Sequence, residues 1–250
     1  MEDKIIKSSV FDNETILSKT LEQAIDVDFS LPEYYPDIAK ILKCQCVPYI
    51  TSKGTNGNTL SAEGVAVITV IYVDDGNMLN SYEYRYLFSK SFEVSSADSG
   101  ICTCVTSKTD YINCRPVTAR KIDIHAAVSV TAEVTKKTEK EIITDTDFDD
   151  VCVLCENISA NTPLSCNEKS LDLEEEIEIG SAKKDINCII RYSGEPVITE
   201  SKLIAGKIMV KGELFVNLLY CNDDGEIDSI KETLPFGTMI ESETNTENCG

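Results

Sequence analysis

The sequence predicts an all-β protein: two tandem antiparallel β-sandwich-like repeat units, the second incomplete. Three observations lead there. Period-two alternation runs through most of the chain, and 3.6-residue periodicity is almost absent. Turn chemistry (Asp-Gly, Asn-Gly) recurs at close spacing between the alternating stretches. One stretch occurs twice: SAEGVAVITVIYVDDG at Ser61–Gly76 and VKGELFVNLLYCNDDG at Val210–Gly225. A shift of 148 positions sets Gly64 on Gly212, Val70 on Leu218, Tyr72 on Tyr220 and Phe88 on Phe236. It also sets Asp37-Ile38 on Asp185-Ile186 and Ile41-Leu42 on Ile189-Ile190, so the duplication is long. The one slip in the alignment, Gly76 against Gly225, is read as an inserted turn residue.

Ile5-Ile6 corresponds to Val153-Leu154, which puts the first unit at residues 1–150 and the second at 151–250. Nothing in the second unit answers Asp110 to Ile143 of the first. The expectation is therefore that this is the front part of a longer protein, and that an unpaired sheet edge in the second unit favours self-association.

Taken in order, residues 3–10 read as a strand and Asn13-Glu14 as a turn. Leu21 to Leu31 alternates, with Ile25, Val27 and Phe29 on one face and Asp26, Asp28 and Ser30 on the other. In LPEYYPDIAKILK, Pro36 can open one helical turn from Asp37 to Leu42. A strand follows to Ile50, and GTNG at Gly54–Gly57 is a hairpin turn. Val65 to Tyr72 is apolar on both faces, as a central strand is, with Glu213 to Tyr220 its equivalent. After the Asp74-Asp75-Gly76 turn, Leu79 to Val94 carries Tyr82, Tyr84 and Tyr86 on one face. Ser95 to Gly100 is turn-rich; Ile101–Tyr111 and Lys121–Val134 pair, the latter with Ile122, Ile124, Ala126, Val128 and Val130 inward. Glu141–Thr144 is a last short strand before the acidic linker Asp145–Asp150.

The 250 residues, 42% of them apolar, suffice for real cores. A net charge of -20 repels phosphate backbones, which argues against nucleic acid as a partner and fits a solvated acidic face. No stretch reaches the roughly 20 apolar residues of a membrane helix, and the first thirty residues lack a secretory signal. The expectation is a protein kept inside a cell, without membrane insertion. Eleven cysteines make the chain cysteine-rich, yet the repeat does not preserve their positions: Cys44 falls on Tyr192 and Cys221 on Val73. A shared metal site or disulfide framework would recur, so these read as small hydrophobes or cross-linking thiols.

No constellation carries catalysis. His125, the only histidine, sits beside Asp123 on a polar strand face, and any triad would depend on it alone. Cys152 and Cys155 have the spacing of a zinc knuckle or redox pair but lack a second ligand pair or a βαβ context. The pairs Cys44/Cys46 and Cys102/Cys104 each point to one strand face; they can bridge another strand or another chain, not each other. Asp74-Asp75 and Asp223-Asp224 precede glycine in turns, where aspartate is favoured for backbone reasons. No catalytic, cofactor-binding or metal-ligating residue is assigned, and the protein is read as a non-enzyme without cofactor. A ligand- or glycan-binding β-sandwich, with Tyr82, Tyr84 and Tyr86 as platform, is the alternative; the equivalents Ile230, Glu232 and Leu234 weaken it.

LPEYYPDIAKILKC, then SAEGVAVITVIYVDDG, then DYINCR and RKIDIHAAVSV resemble the SPOCS family, spore-coat-associated proteins of anaerobic endospore formers. The resemblance rests on Leu31-Pro32, Pro36-Asp37-Ile38, Ile41-Leu42, Gly64, Tyr72, Phe88, Asn113, Arg115 and Arg120-Lys121, repeated in part by Asp185, Gly212, Tyr220 and Leu234-Pro235-Phe236. It implies likeness to SipL-type spore-morphogenesis proteins, which tether the assembling coat through its basement-layer ATPase and usually end in a peptidoglycan-binding LysM domain. The chain shows no LysM, so any wall or cortex contact is not carried over. The implied location is the mother-cell cytoplasm and then the spore coat, where thiols made reduced can later oxidise.

Overall fold

The computed structural model describes residues 5–95, 101–146, 166–177 and 185–242, together with residues 154, 156 and 179. Nine strands follow one another: β1 (Ile5–Ser30), β2 (Lys40–Asn56), β3 (Thr59–Val73), β4 (Leu79–Glu93), β5 (Ile101–Pro116), β6 (Lys121–Thr146), β7 (Ile186–Ile204), β8 (Lys207–Asn222) and β9 (Ile227–Glu241). They form three antiparallel sheets of order β1-β6-β5, β2-β3-β4 and β7-β8-β9, and no helix occurs among the described residues. The all-β prediction holds.

The first two sheets pack face to face because both central strands alternate strictly. On β3, Leu60, Ala66, Ile68 and Val70 are fully buried; on β6, Ile122, Ile124, Val128 and Val130 are. With Ile25, Phe88 and Phe92 these side chains form one core. β1 and β6 run on beyond that core as a two-stranded ribbon pairing Ile5–Asn13 with Lys137–Thr146. On it Ile5, Phe11 and Ile143 stand in solvent.

The third sheet repeats the second in detail. Strand β2 slips register between Ile41/Lys43 and Ile50/Ser52, and β7 slips between Ile189/Arg191 and Ile198/Glu200, each 148 residues later. Thr51 Oγ1 donates to the Glu63 carbonyl and Thr199 Oγ1 to the Lys211 carbonyl, both at 3.3 Å. Gly64 faces Phe88 across the ladder as Gly212 faces Phe236. Bulges, caps and ring-over-glycine pairs are local devices, so their recurrence shows that the duplicated sequence folds into a duplicated sheet.

Several expectations are corrected. No turn forms at Asn13-Glu14; both residues pair in register with Lys137 and Lys136 inside β1–β6. Glu141–Thr144 is the end of β6 and not a separate strand. Asp37 to Leu42 makes no helical turn: Ile38 N–H donates to the Ala119 carbonyl and Ala39 N–H to the Val73 carbonyl, so β2 begins at Lys40. The hairpin turn after β2 is Gly57-Asn58, one step beyond the reading as Gly54–Gly57. The turn slip also disappears. Asn77 N–H donates to the Asp74 carbonyl and Gly225 N–H to the Asn222 carbonyl, with φ of 61° and 78° at the donors. Asn77 takes the left-handed position that glycine takes in the second copy, so the 148 offset is unbroken. Val153, Ser96–Gly100 and residues 147–150 lie outside the described residues.

Candidate interaction surface

Several of the residues that carry the family likeness meet at one joint. The loop after β1 must cross from one sheet to the other, and its carbonyls find no ladder partner. Arg120, at the start of β6, supplies donors. Its Nη2 reaches the Pro32 carbonyl at 2.6 Å and the Leu31 carbonyl at 3.3 Å, while Nη1 reaches the Tyr35 carbonyl at 3.1 Å and pairs with Asp37. Tyr72 Oη donates to the Pro36 carbonyl at 3.1 Å, and burial pushes that phenol up to about 12. Leu31, Pro36, Asp37, Tyr72 and Arg120 therefore act as fold determinants.

The edge strands β2 and β5 meet along a seam closed by side chains. Thr109 Oγ1 donates to the Cys46 carbonyl at 2.9 Å, Ser107 Oγ to the Pro48 carbonyl at 3.2 Å, and Lys53 Nζ to the Thr103 carbonyl at 2.9 Å. At one end of the seam the half-buried Cys44 and Cys114, both free thiols, line one groove. At the other end burial, with Cys166 nearby, pushes the Cys102 thiol up to about 11.

The sheet β7-β8-β9 leaves apolar side chains only partly covered. In the first copy the face of β3 is covered by β1-β6-β5 and its aliphatic residues are 0% exposed. The equivalent face of the third sheet, with Ile208, Leu214, Val216, Leu218, Leu234 and Phe236, is only half-buried. Below that sheet, β7 borders a 770 Å³ cleft on the outer face of β2-β3-β4, lined by Val47, Tyr49, Val67, Ile71 and Ile189 among others. Ser81 Oγ donates to the Ile189 carbonyl at 2.7 Å and Tyr192 Oη to Glu83 at 2.9 Å across it.

The structure also places the candidate residues. His125 lies directly opposite Asp26 in the β1–β6 ladder; Nδ1 is 2.6 Å from Asp26 and Nε2 3.3 Å from Asp123. Asp123 is itself held by Arg115 at 2.7 Å. Both ring nitrogens face carboxylates, and these raise the imidazole above its ordinary value, chiefly through Asp26, favouring the protonated form. In an NMR titration the C2–H of this single histidine should move at a pH above its ordinary 6.5, and Asp26→Asn should bring the midpoint down. The raised value means the pair supports the fold below pH 6.5 and fades as pH climbs through the raised midpoint. A midpoint at or below 6.5 would contradict the geometry.

Asp74 caps its own turn: Oδ1 accepts from the Met78 N–H at 2.9 Å and Oδ2 from Asn80 at 3.1 Å, as Asn222 Oδ1 accepts from Glu226 N–H at 2.9 Å. Asp75, Asp223 and Asp224 lie in the same two turns. The tyrosine stripe is a correction. Tyr84 stacks on Phe29 at 4.8 Å and 2°, Tyr82 lies 5.3 Å from the same ring, and Tyr35 meets Tyr82 edge-on at 5.1 Å. Tyr86 accepts from Gln23 Nε2 at 3.4 Å. Those rings are spent on packing β4 against β1, so they offer no free platform. Cys46 is buried in the core, Cys104 is exposed, and Cys152 and Cys155 fall outside the described residues. Arg120 and the Cys44–Cys114 contact were missed from sequence; the first had a signal in the resemblance, the second none.

No curated protein and no solved structure matches the chain. A family model does, described as SipL, SPOCS domain, over residues 37–117 and 185–249. The two stretches fall on the two copies, starting at the equivalent aspartates Asp37 and Asp185, and the match points to a sporulation-related role. Together they cover more than half of the sequence, and the chain belongs to the SipL SPOCS-domain family.

Proposed function

We propose that the chain is a non-enzymatic assembly protein of the bacterial endospore envelope. It tethers or scaffolds coat layers through protein–protein contacts, working in the mother-cell cytoplasm and then in the spore coat. The observation that carries this is the same sheet present twice, once closed over and once with its apolar face half-exposed. A face with Leu214, Leu218, Leu234 and Phe236 in one patch suits a protein partner. The partner implied by the family is the coat's basement-layer ATPase.

The test is binding of the purified chain to that purified ATPase by biolayer interferometry. Leu218→Asp with Leu234→Asp should weaken binding by at least about 100-fold, the effect of burying two unpaired charges. Circular dichroism should show the β content unchanged. Undiminished binding by the double variant would reject this face. A stable dimer of the chain alone that the same double variant abolishes would assign the face to self-association instead.

A further inference from the structure

We propose that Cys44 and Cys114 form an intramolecular disulfide that joins β2 to β5 across the sandwich seam, the oxidant being a low-molecular-weight disulfide of the glutathione class. The two residues stand on the edge strands of opposite sheets, and both side chains pack against the common core. Both line the same groove at the end of the seam that Thr109 and Ser107 close, so bond formation needs a small approach of the two side chains and no change of register. Two side-chain bonds farther along the seam, Thr109 to Cys46 and Ser107 to Pro48, hold the strands in place while it forms. The site is also reachable: both cysteines line an open groove together with Lys40, Lys43 and Asn113. The two lysines favour an anionic disulfide at its mouth.

The two thiols act on each other and differ in acidity: Cys114 is held below the ordinary range and Cys44 above it, so Cys114 ionises first. The Cys114 thiolate attacks one sulfur of the oxidant, forming a mixed disulfide and expelling one thiolate. Cys44 then loses its proton and attacks Cys114 Sγ, expelling the second thiolate. The two protons given up by the cysteines end on the two released thiols, and the oxidant's S–S bond is replaced by the Cys44–Cys114 bond. Cys188 and Cys221 supply the contrast. They oppose each other in the β7–β8 register, yet each thiol donates to a neighbouring carbonyl at 3.6 Å, those of Ile189 and Asn222.

The experiment exposes the reduced full chain to oxidised glutathione and maps peptides by mass spectrometry without reductant. A peptide pair linked through Cys44 and Cys114 is expected in monomeric protein, lighter by two hydrogens than its reduced parts. Closing a loop of about 70 residues should raise the midpoint of thermal unfolding by on the order of 10 °C, reversed by dithiothreitol. Cys44→Ala should abolish both the linked peptide and the shift. Cys46→Ala, two residues away on the same strand, should keep both. Recovery of Cys44 and Cys114 as free thiols or as separate glutathione adducts, or their linkage only between chains, would overturn the assignment. Since the peptide map is read on the wild-type chain, the result stands even if a variant folds poorly.

Discussion

Gly64→Ala should destabilise the first sandwich by about 3 kcal/mol, at the upper end of what overpacking costs. A Cβ on Gly64 would lie 2.6 Å from the Tyr49 carbonyl oxygen and 2.7 Å from Phe88 Cε2. Neither neighbour can yield cheaply. The carbonyl belongs to the β2 backbone beside the bulge between Ile50 and Ser52, and the Phe88 ring is locked in the core at 7% exposure. The ring lies across the glycine because the two residues are ladder partners, so the aromatic covers backbone that the missing side chain leaves bare. Chemical denaturation of the full chain measures the loss. Gly212→Ala meets the same contacts, 2.8 Å from Phe236 Cε1 and closer still to the Val197 carbonyl oxygen. Phe236 is only half-buried, so its ring can swing aside, but the Val197 carbonyl is β7 backbone and cannot, so the cost should stay at about 2–3 kcal/mol. Phe88→Leu combined with Gly64→Ala should cost less than the two changes added, because each relieves the other's contact. An additive cycle, or a Gly64→Ala chain as stable as the parent, would refute the ring-over-glycine account.

That pair of glycines also shows what the sequence could reveal. A repeat at constant offset marks Gly64 and Gly212 as equivalent without saying why, and only the ladder shows that each sits under a phenylalanine 24 residues on. Strand alternation correctly located the core face of β6, because burial on one face imposes period two on the side chains; β3 reads as apolar on both faces, and only the structure shows that Ala66, Ile68 and Val70 point inward. Alternation failed where local and long-range signals compete. Asn13-Glu14 carries turn-forming residues but is paired along its length with β6, and ladder hydrogen bonds outweigh that propensity. Pro36 can start a helix, yet the carbonyls around it are claimed by Arg120 and Tyr72 from far along the chain. Tyr82, Tyr84 and Tyr86 alternate like a surface stripe, and alternation alone cannot say which face is in; Phe29 decides it. The half-exposed face of β7-β8-β9 was legible only as a pattern, since its residue types match those of a buried face.

Arg120→Ala should cost about 2–3 kcal/mol and loosen the joint between the two sheets of the first sandwich. The guanidinium serves the Leu31, Pro32 and Tyr35 carbonyls and the Asp37 carboxylate. The arginine side chain is 34% exposed, so water can satisfy part of what is lost, which keeps the figure well below the sum of four charge-assisted bonds. Two neighbouring backbone bonds, Leu31 N–H to the Arg120 carbonyl at 2.8 Å and Ile38 N–H to the Ala119 carbonyl at 2.7 Å, hold the loop on either side. They should preserve the overall fold while Leu31 to Asp37 gains mobility. Arg120→Lys separates charge from shape. An ammonium can keep the pairing with Asp37 but cannot present two nitrogens to carbonyls on different residues, so lysine should recover less than half of the lost stability. Hydrogen exchange should show the Ile38 and Ala39 amides, which bond to the Ala119 and Val73 carbonyls, exchanging at least about tenfold faster in Arg120→Ala. If lysine restores full stability, or if those amides stay as protected as in the parent chain, the joint is held by charge or by the backbone bonds alone and not by the planar fork of Arg120.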